Sequence, residues 1–116
     1  MNQKNLCQKF LNKIFNNFKN SNNIFYRDNN NEFTYKESFT KICKLINFIK
    51  FKKTEKIIVL SDKSLNYYLI VLSIILAGKT WIQVSPNVPL KRIKKIIKLS
   101  KCKIGFYDES FKNQNI

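Results

Sequence analysis

Apolar side chains at Leu6, Phe10, Leu11, Ile14, Phe15 and Phe18 recur at offsets of three and four. That spacing predicts a helix over residues 5–19 with one apolar face. The polar run Asn20-Ser21-Asn22-Asn23 ends it. Two short extended runs follow, Ile24-Phe25-Tyr26-Arg27 and Glu32-Phe33-Thr34-Tyr35, separated by Asp28-Asn29-Asn30-Asn31. Asn and Asp tolerate left-handed backbone angles, so this segment predicts a hairpin. The second run passes directly into another helix. Thr34 and Glu37 form a T-x-x-E capping box, and Phe39, Ile42, Cys43, Ile46 and Ile49 line one face behind it.

From residue 56 the pattern changes. Ile57-Ile58-Val59-Leu60 is an unbroken apolar run, as expected of a strand covered on both faces. Ser61-Asp62-Lys63-Ser64 supplies a turn and cap, and a buried helix is expected from Leu65 to Ala77, stopped by Gly78. Thr80-Trp81-Ile82-Gln83-Val84 reads as the next strand. Pro86 and Pro89 break the chain, with Pro89 placed as the first residue of a helix whose inner side carries Ile93, Ile96 and Ile97. Ile104-Gly105-Phe106-Tyr107 closes as a third strand, and the tail from Glu109 to Ile116 has little pattern. The order from residue 57 is β-α-β-α-β. The fold class is therefore α/β: a leading helix and β-hairpin, then a parallel-sheet unit that forms an incomplete part of a larger doubly wound domain.

Length and composition narrow the function. A chain of 116 residues is one domain at most, or part of a larger one, and 44% apolar content is globular composition. The apolar stretch Tyr67–Ala77 is shorter than the roughly 20 residues a membrane span needs. The first nine residues lack the apolar core of a signal peptide. Both features, with the three dispersed cysteines Cys7, Cys43 and Cys102, imply reduced thiols and a cytoplasmic setting. With no histidine and no C-x-x-C pair, a zinc site lacks its ligands and triad-type catalysis lacks its base. A net charge of +15 raises the possibility of a nucleic-acid partner. However, Lys, Asn and Ile are over-used together, the joint bias that an A- and T-rich coding sequence produces. The densest basic stretch, Lys91, Arg92, Lys94, Lys95, Lys98, Lys101 and Lys103, is interleaved with Ile93, Ile96 and Ile97 and carries no aromatic side chain. It reads as the solvated face of an amphipathic helix, and a nucleic-acid partner is not expected.

In an open parallel sheet, ligands sit beyond the carboxyl ends of the strands. Three loops qualify: Ser61-Asp62-Lys63-Ser64, Ser85-Pro86-Asn87 and Asp108-Glu109-Ser110. Phosphate loops need glycines there, and the chain's two glycines, Gly78 and Gly105, lie elsewhere. Asp62, Lys63 and Ser64 could hold a small anion, but Ser and Asp are ordinary helix caps. These observations assign no catalytic, cofactor-binding or metal-ligating residue.

Four segments nevertheless carry a resemblance. Phe33-Thr34-Tyr35-Lys36-Glu37 resembles the L-T-Y-x-E-L segment near the start of the adenylate-forming (AMP-dependent synthetase/ligase) enzymes, which include acyl-CoA synthetases and peptide-synthetase adenylation domains. Ile74-Ile75-Leu76-Ala77-Gly78-Lys79-Thr80-Trp81-Ile82 is similar to that family's L-x-A-G-x-x-Y/W-V-P segment, and Pro86-Asn87-Val88-Pro89-Leu90-Lys91-Arg92-Ile93 to its P-x-x-P-x-x-R-I/L continuation. Lys101-Cys102-Lys103, ahead of a strand and Asp108, resembles the family's next segment. Order and spacing agree over about residues 22–108. The chain departs from the family at Ser38, usually Leu, at Gln83, usually Pro, and at Ser85, often Asp.

The resemblance implies one partial N-terminal subdomain over residues 1–116, with a leading helix at 1–21, the family-like segment at 22–110 and a frayed tail at 111–116. It implies a parent reaction in which a carboxylic acid, a fatty acid or an amino acid, reacts with ATP to give an acyl-adenylate. ATP and Mg are expected only of a full-length parent enzyme, because the family's phosphate loop and substrate residues would follow Asp108. The partner implied is the remainder of the ligase domain. Two other classes fit the composition: a small basic nucleic-acid-binding protein and a small α/β interaction subunit.

Overall fold

The structure is a computed structural model that describes the backbone of residues 3–62 and 64–107, and the side chains of residue 9 and of residues 12–62 and 64–107. The expected positions Leu6, Cys7, Phe10, Leu11 and Lys63, the loop Asp108-Glu109-Ser110 and the tail lie outside these side chains or residues. The chain forms two compact units, residues 1–44 and 45–116.

The first unit begins with α1 (Gln3–Asn20), followed by the antiparallel strands β1 (Ile24–Arg27) and β2 (Glu32–Thr34). Its centre is aromatic. The Phe18 ring is buried and packs edge-on against Phe25 at 5.4 Å and Tyr35 at 4.7 Å. Phe15 meets Phe39 at 4.7 Å. Asp28 closes the hairpin, as its carboxylate Oδ1 accepts from the backbone N–H of Asn30 (2.8 Å) and Asn31 (2.7 Å). These two donors hold its carboxyl below the ordinary aspartate value. The register slips between Ile24 and Tyr26, a bulge in β1.

β2 ends one residue earlier than the apolar run suggests, because Tyr35 already begins α2 (Tyr35–Lys50). The capping box forms as expected. Glu37 N–H donates to Thr34 Oγ1 (3.1 Å), while Thr34 N–H and Thr34 O–H donate to Glu37 Oε1 (3.1 and 3.0 Å). The Thr34 donors, backbone N–H first, hold the Glu37 carboxyl below its ordinary value. Of the predicted inner face, Ile42 and Ile49 are buried, and Phe39, Cys43 and Ile46 are half-buried. Ser38 is buried too, at 1% exposure, and its hydroxyl has no hydrogen-bond partner.

The second unit contains the end of α2, β3 (Lys56–Leu60), α3 (Leu65–Leu76), β4 (Thr80–Val84), α4 (Leu90–Ser100) and β5 (Ile104–Tyr107). The three strands form a parallel sheet in the order β4-β3-β5, with Leu60 opposite Val84 on one side and Ile57 opposite Ile104 on the other. Strand side chains alternate between faces, so β3 is buried from both. Ile57 and Val59 pack with Ile74 of α3 and with Leu45 and Ile49 of α2. Ile58 and Leu60 pack with Val84 and with Ile93, Ile96 and Ile97 of α4. The helices thus cover opposite faces, the doubly wound arrangement the pattern predicted.

Three expectations need correction. First, α3 is not a fully buried helix. Only Leu69, Ser73 and Ile74 are buried, while Val71, Leu72, Ile75 and Leu76 are half-buried and Tyr68 is exposed. A helix on one face of a three-stranded sheet has only one side covered. Second, Pro89 is not the first residue of α4 but its cap: at ψ 143° it stays extended while its carbonyl accepts from the N–H groups of Arg92 (3.0 Å) and Ile93 (3.1 Å). Third, Cys43 is half-buried rather than fully in the core, although desolvation still raises its thiol pKa above the ordinary value. Gly78 ends α3 in the left-handed region at φ 78°, as read from the sequence. Among the described residues, β4 and β5 each leave one edge unpaired, and no helix is long and apolar enough to cross a membrane.

Candidate functional site

The carboxyl ends of β3 and β4 are neighbours, and the chain leaves them toward opposite faces, to α3 and to α4. This divergence opens the crevice in which doubly wound sheets take ligands. The structure therefore brings together two of the three expected loops, residues 61–64 and 85–87.

The rim is held by short-range bonds. Ser61 is buried, and its hydroxyl donates to the Asp62 carbonyl (2.8 Å). The Ser64 N–H donates to the same carbonyl (2.9 Å), and Ser64 Oγ accepts from the Tyr67 N–H at the start of α3 (3.4 Å). Ser64 thus takes the cap role. Across the crevice, the Val88 N–H donates to the Ser85 carbonyl (3.2 Å) and closes the turn through Pro86 and Asn87. A side-chain link adds to the β3–β4 backbone ladder: the Gln83 side-chain amide donates to the Ser61 carbonyl (3.0 Å). Gln83 stands where the resemblance calls for proline. The side chain ties down the β3 exit, a bond proline could not donate. No periodicity in the sequence marks this bond, because a surface Gln in a strand alternates like any polar residue.

Neither rim loop contains a glycine, the residue that lets backbone amides approach a phosphate closely. Among the described residues, no group of three or more His, Cys, Asp or Glu side chains could hold a metal ion. The α4 lysines are placed as read from the sequence. Lys91, Arg92, Lys94, Lys95 and Lys98 are exposed around the buried Ile93, and Lys101 and Lys103 follow on the exit turn. Sequence reasoning missed the cap role of Lys101, which sits at φ 60° as the left-handed cap of α4 and donates its N–H to the Ile97 carbonyl (3.1 Å). A lysine there carries no sequence signal, since glycine is the usual residue.

The fold and crevice define the class: a doubly wound α/β unit, with the switch point between its first two parallel strands. Residues 14–116 match the family described as AMP-binding enzyme, and the chain belongs to that family. Its fold is similar to solved structures. The Klebsiella oxytoca NpsA N-terminal subdomain aligns with a TM-score of 0.71 at 14% identity, over 88% of this chain and 27% of that one. The same subdomain in complex with 3-hydroxyanthranilyl-AMSN aligns at 0.72 and 15% identity, over 90% and 27%. IdnL1 aligns at 0.65 and 12% identity, over 78% and 20%. At these identities the likeness shows the fold. The chain spans about a quarter of the NpsA chains and a fifth of the IdnL1 chain. No curated protein matches it.

Proposed function

We propose that this chain is the opening part of an adenylate-forming enzyme and supplies scaffold rather than chemistry. In the parent reaction, a carboxylate oxygen attacks the α-phosphorus of ATP, pyrophosphate leaves, and the acyl-adenylate mixed anhydride remains for transfer to a thiol or amine. The observation that supports this reading is the family match over residues 14–116, which spans the capping box at the start of α2 and the Gly78 stop and Pro86–Pro89 turn of the parallel-sheet unit.

The role of the chain's own residues is positional. The Gln83–Ser61 bond ties the two rim loops together at the switch point, and Ser64 caps α3 beside it. ATP and Mg would be held by residues of the rest of the domain, because the rim loops here lack glycines and a carboxylate cluster. The carboxylic acid substrate and the remainder of the ligase domain are the partners this reading requires, in a cytoplasmic setting.

The coding sequence beyond residue 116 tests it. A Ser/Thr/Gly-rich segment ending in Lys within several dozen codons is the expected result. An open frame of comparable length without such a segment would refute the proposal.

A further inference from the structure

The amino end of the same sheet, opposite the crevice, carries a different kind of surface. The turn from α2 into β3 and the turn from α4 into β5 lie side by side, because β3 and β5 are paired with Ile57 opposite Ile104. Together they line an open depression of about 270 Å³ with Lys53, Lys56, Lys101 and Lys103, beside Thr54 and Ser100. Glu55 is the one carboxylate in that lining. The sequence placed Lys101 and Lys103 at the end of the α4 stretch, and pairing of the strands adds Lys53 and Lys56 from half a chain away.

Two exposed phenylalanines precede this depression at the end of α2. Phe51 is 76% exposed and Phe48 is 50% exposed. Each has an ammonium over its ring, Lys50 at 4.9 Å from Phe51 and Lys52 at 4.5 Å from Phe48. Helix C-termini attract cations and account for Lys50. They do not account for Lys53, Lys56 and Lys103, which lie beyond the helix ends; of the two rings, Phe48 also packs edge-on against Phe106 at 6.2 Å, which leaves Phe51 as the more exposed one.

We infer that this lysine-lined depression, with the exposed Phe51 ring two residues before Lys53 in the chain, forms a binding surface for single-stranded nucleic acid. The charges are spread over two loops, so they suit a ligand carrying phosphates at intervals. The exposed rings suit unstacked bases, which a single strand offers and a duplex does not. The concave, mostly cationic lining fits a strand better than a flat bilayer. The surface lies at the sheet end opposite the crevice, so it shares no residue with the rim loops.

The test is fluorescence anisotropy of a labelled 12-nucleotide oligo(U), titrated with the 116-residue chain across a salt series. Neutralising four phosphates predicts a log–log salt slope of about −2.8. Paired reversal Lys101→Glu/Lys103→Glu should weaken binding at least about tenfold and flatten the slope by about 1.4. Phe51→Ala should weaken oligo(U) binding about fivefold or more and leave inorganic polyphosphate binding unchanged. The control reversal Lys91→Glu/Lys94→Glu, on the outer face of α4, should have a clearly smaller effect. Crosslinking to a 5-bromouridine 12-mer gives an independent readout, with the adduct expected on the peptide containing Phe48 and Phe51. Equal loss from the control reversal, equal affinity for duplex RNA or for phosphatidylserine vesicles, or adducts confined to residues 91–99 would each overturn the inference.

Discussion

Gly105→Ala offers a direct probe of how closely the outer strand β5 approaches the sheet centre. A Cβ built on Gly105 would sit 2.6 Å from Ile58 Cγ2 and 3.3 Å from the Ile58 carbonyl oxygen. Ile58 cannot easily yield. It lies on the central strand, is 4% exposed, and is packed with Leu60, Val84 and Ile93, while its branched Cβ restricts χ1. The added methyl must therefore displace the side chain or the edge strand, an overpacking cost of about 1–3 kcal/mol. Alanine also narrows the unfolded ensemble, which returns about 0.4–1 kcal/mol. The net expectation is a loss of about 1–2 kcal/mol. Urea unfolding followed by the fluorescence of the single tryptophan, Trp81 on the neighbouring β4, should show a midpoint lower by roughly 0.5–1 M at unchanged slope. Ile58→Leu removes the opposing methyl at nearly constant volume, so in that background Gly105→Ala should cost little. A neutral or stabilising Gly105→Ala, or an equal cost in both backgrounds, would refute the close approach.

Other consequences can be measured in the same way. Thr34→Ala should cost about 1 kcal/mol by removing the α2 cap, seen as a lower unfolding midpoint by circular dichroism. Asp28 and Glu37 have folded-state pKa values below their ordinary ones, so their contribution is present above the ordinary carboxylate range and is lost as pH falls through the lowered values; Glu37→Gln should blunt that acid dependence in a pH series of midpoints. Lys101→Gly should stabilise by about 1 kcal/mol, because glycine takes φ 60° without the penalty a side chain carries there. Ser38→Ala should stabilise by about 1 kcal/mol, seen as a higher unfolding midpoint, since it removes a buried hydroxyl that has no partner.

Most of the scaffold was legible in the sequence because its signals are local. A T-x-x-E box, a glycine after an apolar helix and an unbroken Ile-Ile-Val-Leu run each have one inexpensive conformation, and each adopts it. What was not legible depends on partners distant in the chain. The half-covered state of α3 follows from the width of the sheet, which apolar content along Leu65–Ala77 does not encode. The Gln83–Ser61 bond needs β3 and β4 in register, and the lysine depression needs β3 beside β5. Pro89 reads from the sequence as the first helical residue, and only its extended ψ makes it the cap instead. The candidate site was legible mainly as a location: the loops at 61–64 and 85–87 were placed at the strand ends by topology, and no residue type within them names a reaction.

The central claim, that this chain carries the scaffold of an adenylate-forming domain and not its chemistry, is tested most directly by ATP–pyrophosphate exchange. The purified 116-residue chain would be assayed with Mg and a panel of fatty and amino acids. The account predicts no exchange above the protein-free blank with any acid. Saturable exchange that depends on one of the acids would contradict it.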